Sequence, residues 1–281
     1  VDRAVQAAKA AQADWAATDP AQRSQVLFKA ASAVRNRRFE LAAMTLLETG
    51  KNWNEAQADV NEAIDFLEYY GREMIRLSKG RSVSSKLGES SRISFEPRGV
   101  AAVITPFNMP LPVPMGAVSA ALVTGNAVVF KPAPQAAVVG SMLVPILEEA
   151  GLPQGVLNFL AAEEPELGEN LVAHPDVDLA CFTGSVQAGH RVLHKSTESD
   201  GQSMKLKKTV LSLVGNNAII MDSDADLDAA VGGIISSAFG YQGQKCSACT
   251  RLIVLEDNYD KVVQKVRAAA DSLDMGPVDD P

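Results

Sequence analysis

A chain of 281 residues with 47% hydrophobic content holds enough apolar material for one large α/β domain or two ordinary ones. Its formal net charge of −8, with no long block of Lys or Arg, excludes the basic face that nucleic-acid binding requires and favours small-molecule ligands. Three cysteines at irregular spacing make no disulfide framework, and no apolar stretch reaches membrane length without a Pro, Gly or charge; the expected setting is therefore the reducing cytoplasm, with no membrane partner.

The first segment, VDRAVQAAKAAQ, reads as an amphipathic helix and not as a signal peptide, and the missing initiator Met suggests a fragment or a processed chain. Helical periodicity continues to about residue 78: Val26, Leu27, Ala30, Ala31 and Val34 recur at three and four after Asp19-Pro20, a helix-start signal. The first quarter is expected to form a helical layer. Residues 80–99 turn polar and Gly-rich with alternation around Arg92 to Glu96, which suits an excursion of two strands that could serve as an oligomer contact.

From Val100 the texture changes. Apolar runs at 100–104, 127–131, 156–160 and 178–182 alternate with helical stretches, which is the pattern of a parallel sheet buried on both faces by right-handed crossovers. Further runs, TVLSLV and NNAIIM, precede a helix expected from about Asp224 to Phe239; a strand at 251–256 and a helix at about 258–273 follow.

Between that penultimate helix and strand lies GYQGQKCSACTR, residues 240–251, which sets Cys246 in a turn. Gly243, Gln244 and Lys245 precede it, so backbone amides can approach the sulfur and an ammonium can favour the thiolate. Read locally, Cys246 is a nucleophile, a small packed hydrophobe, or half of a redox pair with Cys249. The CxxC spacing, however, stands between a helix and a following strand, whereas thioredoxin-like pairs open a helix. His190 and His194 stand four apart on an expected helix, but no third ligand follows, so no metal is expected.

Several segments together resemble one family. ITPFNMP (104–110), TGNAVVFKPA (124–133), CFTGS (181–185) and GQKCSACTR (243–251) are similar, in order and spacing, to landmarks of the NAD(P)-dependent aldehyde dehydrogenase superfamily. Residues 47–74, 237–251 and 255–262 are most similar to the Δ1-pyrroline-5-carboxylate dehydrogenases, which oxidise L-glutamate γ-semialdehyde to glutamate in proline breakdown. The resemblance implies a Rossmann-like cofactor-binding domain at 1–213, with N-terminal helices and the ribbon at 80–99, and the beginning of an α/β catalytic domain at 214–281. It also implies that the family's remaining C-terminal segments, with a last strand that completes a homo-oligomer, are not in this chain.

Site residues follow from the same resemblance. Cys246 would attack the aldehyde carbon, and Asn108 with the Cys246 amide would hold the oxyanion. Thr105, Pro106, Phe107 and Lys131 would bind NAD (or NADP), with Gly184 and Ser185 placing a helix N-terminus at the pyrophosphate. Glu62 would face the substrate ammonium, and Lys245 and Ser247 its carboxylate. Taken alone, Asn108 also reads as a turn former, Lys131 as a strand-end lysine, Ser185 as a plain helix cap and Glu62 as a solvated acid.

The chain departs from the family in three places. Where relatives carry Glu-Leu-Gly-Gly, whose glutamate is the general base for thioester hydrolysis, this chain has SLVG at 212–215; Ser212 does not ionise near neutral pH and is not expected to act as base. Ala162 and Glu164 replace glycines of the phosphate-side loop, and a carboxylate there repels a pyrophosphate. Pro134 stands where relatives offer an acid or a serine. The expectation is an aldehyde dehydrogenase impaired in deacylation, with a non-catalytic binding or assembly module, or an acyl-transferring relative, as the alternatives.

Overall fold

The structure, a computed structural model, describes residues 1–162, 165–198 and 206–279. Four helices lead: α1 (Asp2–Ala17), α2 (Pro20–Asn36), α3 (Arg38–Thr49) and α4 (Trp53–Ser78). Their ends carry local signals. Asp19 caps α2 by accepting the Ala21 amide, with Pro20 in the first turn, and Asn52 caps α4 through the Glu55 amide. Gly50 takes φ 70° at the end of α3, a left-handed conformation that a side chain would strain. The ribbon follows as β1 (Arg81–Val83) and β2 (Ser91–Ile93), a short antiparallel pair that is largely exposed.

The chain then alternates strand and helix through β3 (Val100–Thr105), α5 (Pro112–Val123), β4 (Ala127–Pro132), α6 (Ala137–Glu149) and β5 (Leu157–Phe159). It continues through α7 (Pro165–Ala173), β6 (Leu179–Gly184), α8 (Val186–Thr197) and β7 (Lys208–Leu213). These strands form one parallel sheet in the order β5-β4-β3-β6-β7, with Ala102 opposite Val129 on one side and Ala180 on the other. The expected α/β class is what the structure has.

Side-chain alternation divides the core. Ala101, Val103, Val128 and Phe130 face a layer made by α2 to α6, whereas Val100, Ala102, Ala127 and Val129 face Val5 and Ala8 of α1, with α7 and α8. The first quarter is therefore not a single layer. The small side chains of α1 cover the part of the second face that α7 and α8 leave open, and Trp15 at its end bonds the Leu122 carbonyl at 2.8 Å. Lys131 owes its position to Phe130, which is fully buried and packs edge-on against Phe159 at 5.8 Å.

After β7 the chain leaves this sheet. β8 (Asn217–Met221) and β9 (Cys249–Val254) pair in parallel, with α9 (Leu227–Phe239) and α10 (Glu256–Asp271) around a small core of Met221, Ile234 and Val262. The helix expected from Asp224 starts at Leu227, because Asp226 folds back to accept the Asp228 and Ala229 amides. Among the described residues no helix is long and apolar enough to cross a membrane.

One ion pair is buried between α3 and α4. Lys51 Nζ lies 2.7 Å from both Asp59 carboxylate oxygens, and the two side chains are 1% and 5% exposed. Burial pushes the Asp59 carboxyl up to about 6 from an ordinary 3.8, against the downward pull of Lys51; Glu62 and Glu55 add smaller upward pushes.

Two outcomes are expected. Phe130→Ala should lower the unfolding free energy in urea by about 3–5 kcal/mol, since it empties a dry site. Folded Asp59 keeps its proton to about pH 6 while the unfolded group releases it near 3.8, so its stabilising contribution is complete below the lower value and is lost as pH rises through the upper. Between about pH 4 and 7 the wild type should thus lose roughly 2–3 kcal/mol more stability than Asp59→Asn.

Candidate active site

The strand order reverses beside β3: the chain moves outward through β4 and β5, then returns to β6 and β7 on the other side. Crossover helices leave in opposite directions there, opening a crevice at the carboxyl ends of the strands. A cavity of about 250 Å³ occupies it, lined by Thr105 and Pro106 after β3, residues 131–134 at the end of β4, residues 182–184 of β6, and Gly168, Glu169 and Arg191 from α7 and α8. Sequence reasoning placed Thr105, Pro106, Lys131 and Gly184 in one cofactor site, and they share this cavity. Phe107 lies next along the chain, half-buried.

The lining suits a ligand with apolar and anionic parts. Thr105 Oγ1 is buried without a hydrogen-bond partner among the described residues, an orphan that a ligand or water must satisfy. Lys131 is 6% exposed; its stem runs beside Gly168, where an added Cβ would stand 3.7 Å from Lys131 Cδ. At Gly184 an added Cβ would stand 2.7 Å from Phe182 Cζ, so glycine lets that ring fold back under the cavity. Ser185 caps α8 through the Ala188 amide at 3.2 Å, and helix geometry leaves the Val186 and Gln187 amides without an intrahelical acceptor.

Residues that sequence reasoning missed also line the cavity. Arg191 Nε donates to Glu169 Oε1 at 2.8 Å across the gap between α8 and α7. These residues stand 22 apart in sequence, with no local signal to join them. Pro134 is in the lining, whereas Glu164 lies outside the described residues.

The cysteine loop is built separately. Beyond α9 a 3-10 turn covers Gly240–Gly243, with Tyr241 at φ 49° and Gln242 at φ 51°. Cys246 and Ser247 then form the exposed crest of a turn closed by the Ala248 amide on the Lys245 carbonyl at 3.1 Å. Asn108 reaches this loop: its Nδ2 donates to the Gln244 carbonyl at 2.6 Å, and among the described residues no acceptor takes the second N–H of the same group. From the other side Asn217 Nδ2 donates to the Cys246 and Ala248 carbonyls at 2.8 and 3.1 Å. Because Asn108 directly follows residues 105–107, one short segment runs from the cavity to the cysteine turn.

Other expected residues stand differently. Lys245 Nζ bonds Glu55 Oε1 at 2.7 Å, so its charge is matched from α4 and not held open beside the sulfur. Glu55 is a partner that the sequence did not single out. Glu62 lies exposed two turns further along the same helix. Ser212 is exposed on β7 opposite Thr183, and no hydrogen bond among the described residues joins it to the loop. Cys249 opens β9, its Sγ on the Arg251 carbonyl at 3.3 Å, while burial pushes the Cys181 thiol up to about 11. Cys246 is the exposed cysteine of the three.

Comparison with known proteins places the chain in a family. Residues 1–281 match the Aldehyde dehydrogenase family. The chain is 44% identical to a 1-pyrroline-5-carboxylate dehydrogenase of Geobacillus thermodenitrificans, over 98% of its own length and 53% of the relative. It is 43% identical to one of Bacillus subtilis, over 100% of itself and 54% of the relative. Among solved structures, a proline utilization A protein from Bdellovibrio bacteriovorus superimposes with TM-score 0.97 at 42% identity, covering 100% of this chain and 29% of that one. A 1-pyrroline-5-carboxylate dehydrogenase from Thermus with bound NAD does so with TM-score 0.95 at 39% identity, covering 98% and 54%. The chain thus spans about half the length of the curated relatives it matches. Matched from end to end, and with a cavity at the sheet's reversal point linked through Asn108 to an exposed cysteine turn, it belongs to the aldehyde dehydrogenase family.

Proposed function

We propose that this chain supplies the cofactor site and the nucleophile of an NAD-dependent dehydrogenase that oxidises L-glutamate γ-semialdehyde to L-glutamate in the cytoplasm. The observation that carries the reading is the bond from Asn108 to Gln244, which sets an amide donor beside the exposed Cys246 turn. The names of the relatives support the substrate. In this reading residues 1–213 are the cofactor-binding domain and 214–281 belong to the catalytic domain, a division supported by the change of sheet between β7 and β8. The exposed ribbon at 80–99, with Ile93 and Phe95 on its surface, serves as a contact between copies.

NAD fits the cavity through an orphaned hydroxyl, a buried cation and a helix N-terminus. Thr105 Oγ1 and Lys131 face its ribose side, and the α8 amides beside Gly184 and Ser185 suit its pyrophosphate. Pro134 brings neither an acceptor nor a cation to distinguish NAD from NADP. When bound, the cofactor accepts a hydride. The protein's part is to attack the aldehyde carbon with the Cys246 thiolate, to hold the resulting oxyanion with the Asn108 N–H and the Cys246 amide, and to carry the acyl group as a thioester once hydride has left. Water then cleaves that thioester. Ser212 offers no base for this step, and among the described residues no hydrogen bond joins its side chain to the loop.

Mixing the purified protein with aldehyde and NAD should give a burst of one NADH per Cys246, then turnover slowed roughly 10²–10⁴-fold for want of a base. Ser212→Glu should raise the slow phase by on the order of 10²-fold, and Cys246→Ala should abolish the burst. Absence of any NADH from the wild type would overturn the reading. The same serine favours a second reading, acyl transfer to a thiol or phosphate, in which added coenzyme A or phosphate restarts turnover after the burst. Calorimetric titration with NAD should give a binding heat, with an affinity roughly tenfold weaker in Lys131→Met, about 1.4 kcal/mol; no heat at all would point to a non-catalytic module.

A further inference from the structure

We propose that the buried Lys51–Asp59 pair, acting through the ring of Tyr241, is a positioning device that holds the left-handed turn at Tyr241 and Gln242 and thereby fixes where Cys246 sits. The inference rests on the reading of Cys246 as nucleophile for its meaning, though not for its geometry.

The argument starts from strain. Among the described residues, Tyr241 and Gln242 are the non-glycine residues with positive φ, and they are consecutive. A left-handed residue with a side chain costs roughly 1–2 kcal/mol, so two in succession persist only where the surroundings over-determine them. Those surroundings come from residues 49–59. Tyr241 Oη donates to the Thr49 carbonyl at 2.7 Å, the residue is 4% exposed, and Lys51 Nζ stands 4.9 Å from the ring centroid. The ammonium is itself fixed by both oxygens of Asp59.

The turn is then carried to the cysteine in short steps. The Gln244 amide bonds the Tyr241 carbonyl at 2.9 Å, and Gly243 turns the chain at φ 73° where an added Cβ would stand 3.0 Å from the Ala238 carbonyl. Lys245 is tied to Glu55, one helical turn before Asp59, so two acids on one face of α4 hold the loop on either side of Gln244, Glu55 directly and Asp59 through Lys51. A buried ion pair is weak evidence for stability, because desolvation offsets much of the attraction. Its use here is directional: it places a cation against one face of Tyr241, and a displaced nucleophile loses rate steeply with distance.

Hydrogen exchange at single amides tests this without requiring catalysis. In Tyr241→Phe, and in the charge-neutral Lys51→Met/Asp59→Asn double variant, the Gln244 and Ala248 amides should exchange at least about tenfold faster than in wild type, while Val103 and Val129 in the sheet stay unchanged. The NADH burst should slow by a similar factor with little change in KM for the aldehyde, since binding is spared and alignment is not. Unchanged exchange at Gln244 and Ala248 in both variants would overturn the proposal, as would equal acceleration throughout the sheet. A wild type that exchanges as described but gives no burst would leave the positioning network standing and remove only the catalytic reading of Cys246.

Discussion

Everything that matters for ligand binding follows from β3 being paired in parallel on both sides. A central parallel strand must be buried on both faces, so its sequence is a near-continuous apolar run, and its neighbours can be reached only by crossovers that lay helices above and below. Because the crossovers turn one way toward β4 and the other way toward β6, helices cannot cover the crevice between them. The cavity that holds Thr105 and Lys131 is the space this constraint leaves. It would exist whatever residues lined it; their identities decide that it suits a molecule with an apolar face and an anionic bridge.

Much of this was legible in the sequence because it is local. The runs beginning near Val100 and Ala127 are continuous and β-rich, so both strands appear where their composition puts them, and Ser185 after the 179–184 strand forms the cap its chemistry suggests. The segment 104–110 carries two sites in seven residues, which is why a short motif identified them together. What was not legible depends on partners far away. Nothing in VDRAVQAAKA says that its small face covers the sheet side opposite α2, because that depends on how little of the second face α7 and α8 cover.

The cysteine loop divides the same way. Its glycines and exposed thiol are readable, since a turn needs left-handed positions and a nucleophile needs access. The fate of Lys245 is not: a lysine beside a cysteine looks like a counter-charge until α4 brings Glu55 to within 2.7 Å. Glu169 and Arg191 are equally mute in sequence, each reading as a solvated helix charge until adjacent helices close on one cavity. Ser212 is the opposite case, a local change whose chemical meaning is plain from residue type and whose placement on an edge strand adds little.

The loop's distant anchors also bear on how the molecule forms. The bonds from Tyr241 to Thr49 and from Lys245 to Glu55 span 192 and 190 residues, and that from Asn108 to Gln244 spans 136. Closing such long loops is entropically expensive and is rewarded only after the intervening sheet has assembled. During synthesis α3, α4 and the central strands emerge well before residue 241, so the surface that receives the loop exists before the loop does. The turn that carries Cys246 is thereby ordered only after the surface that receives it, and a chain that has misfolded earlier leaves its exposed cysteine on a loop with nothing to anchor it.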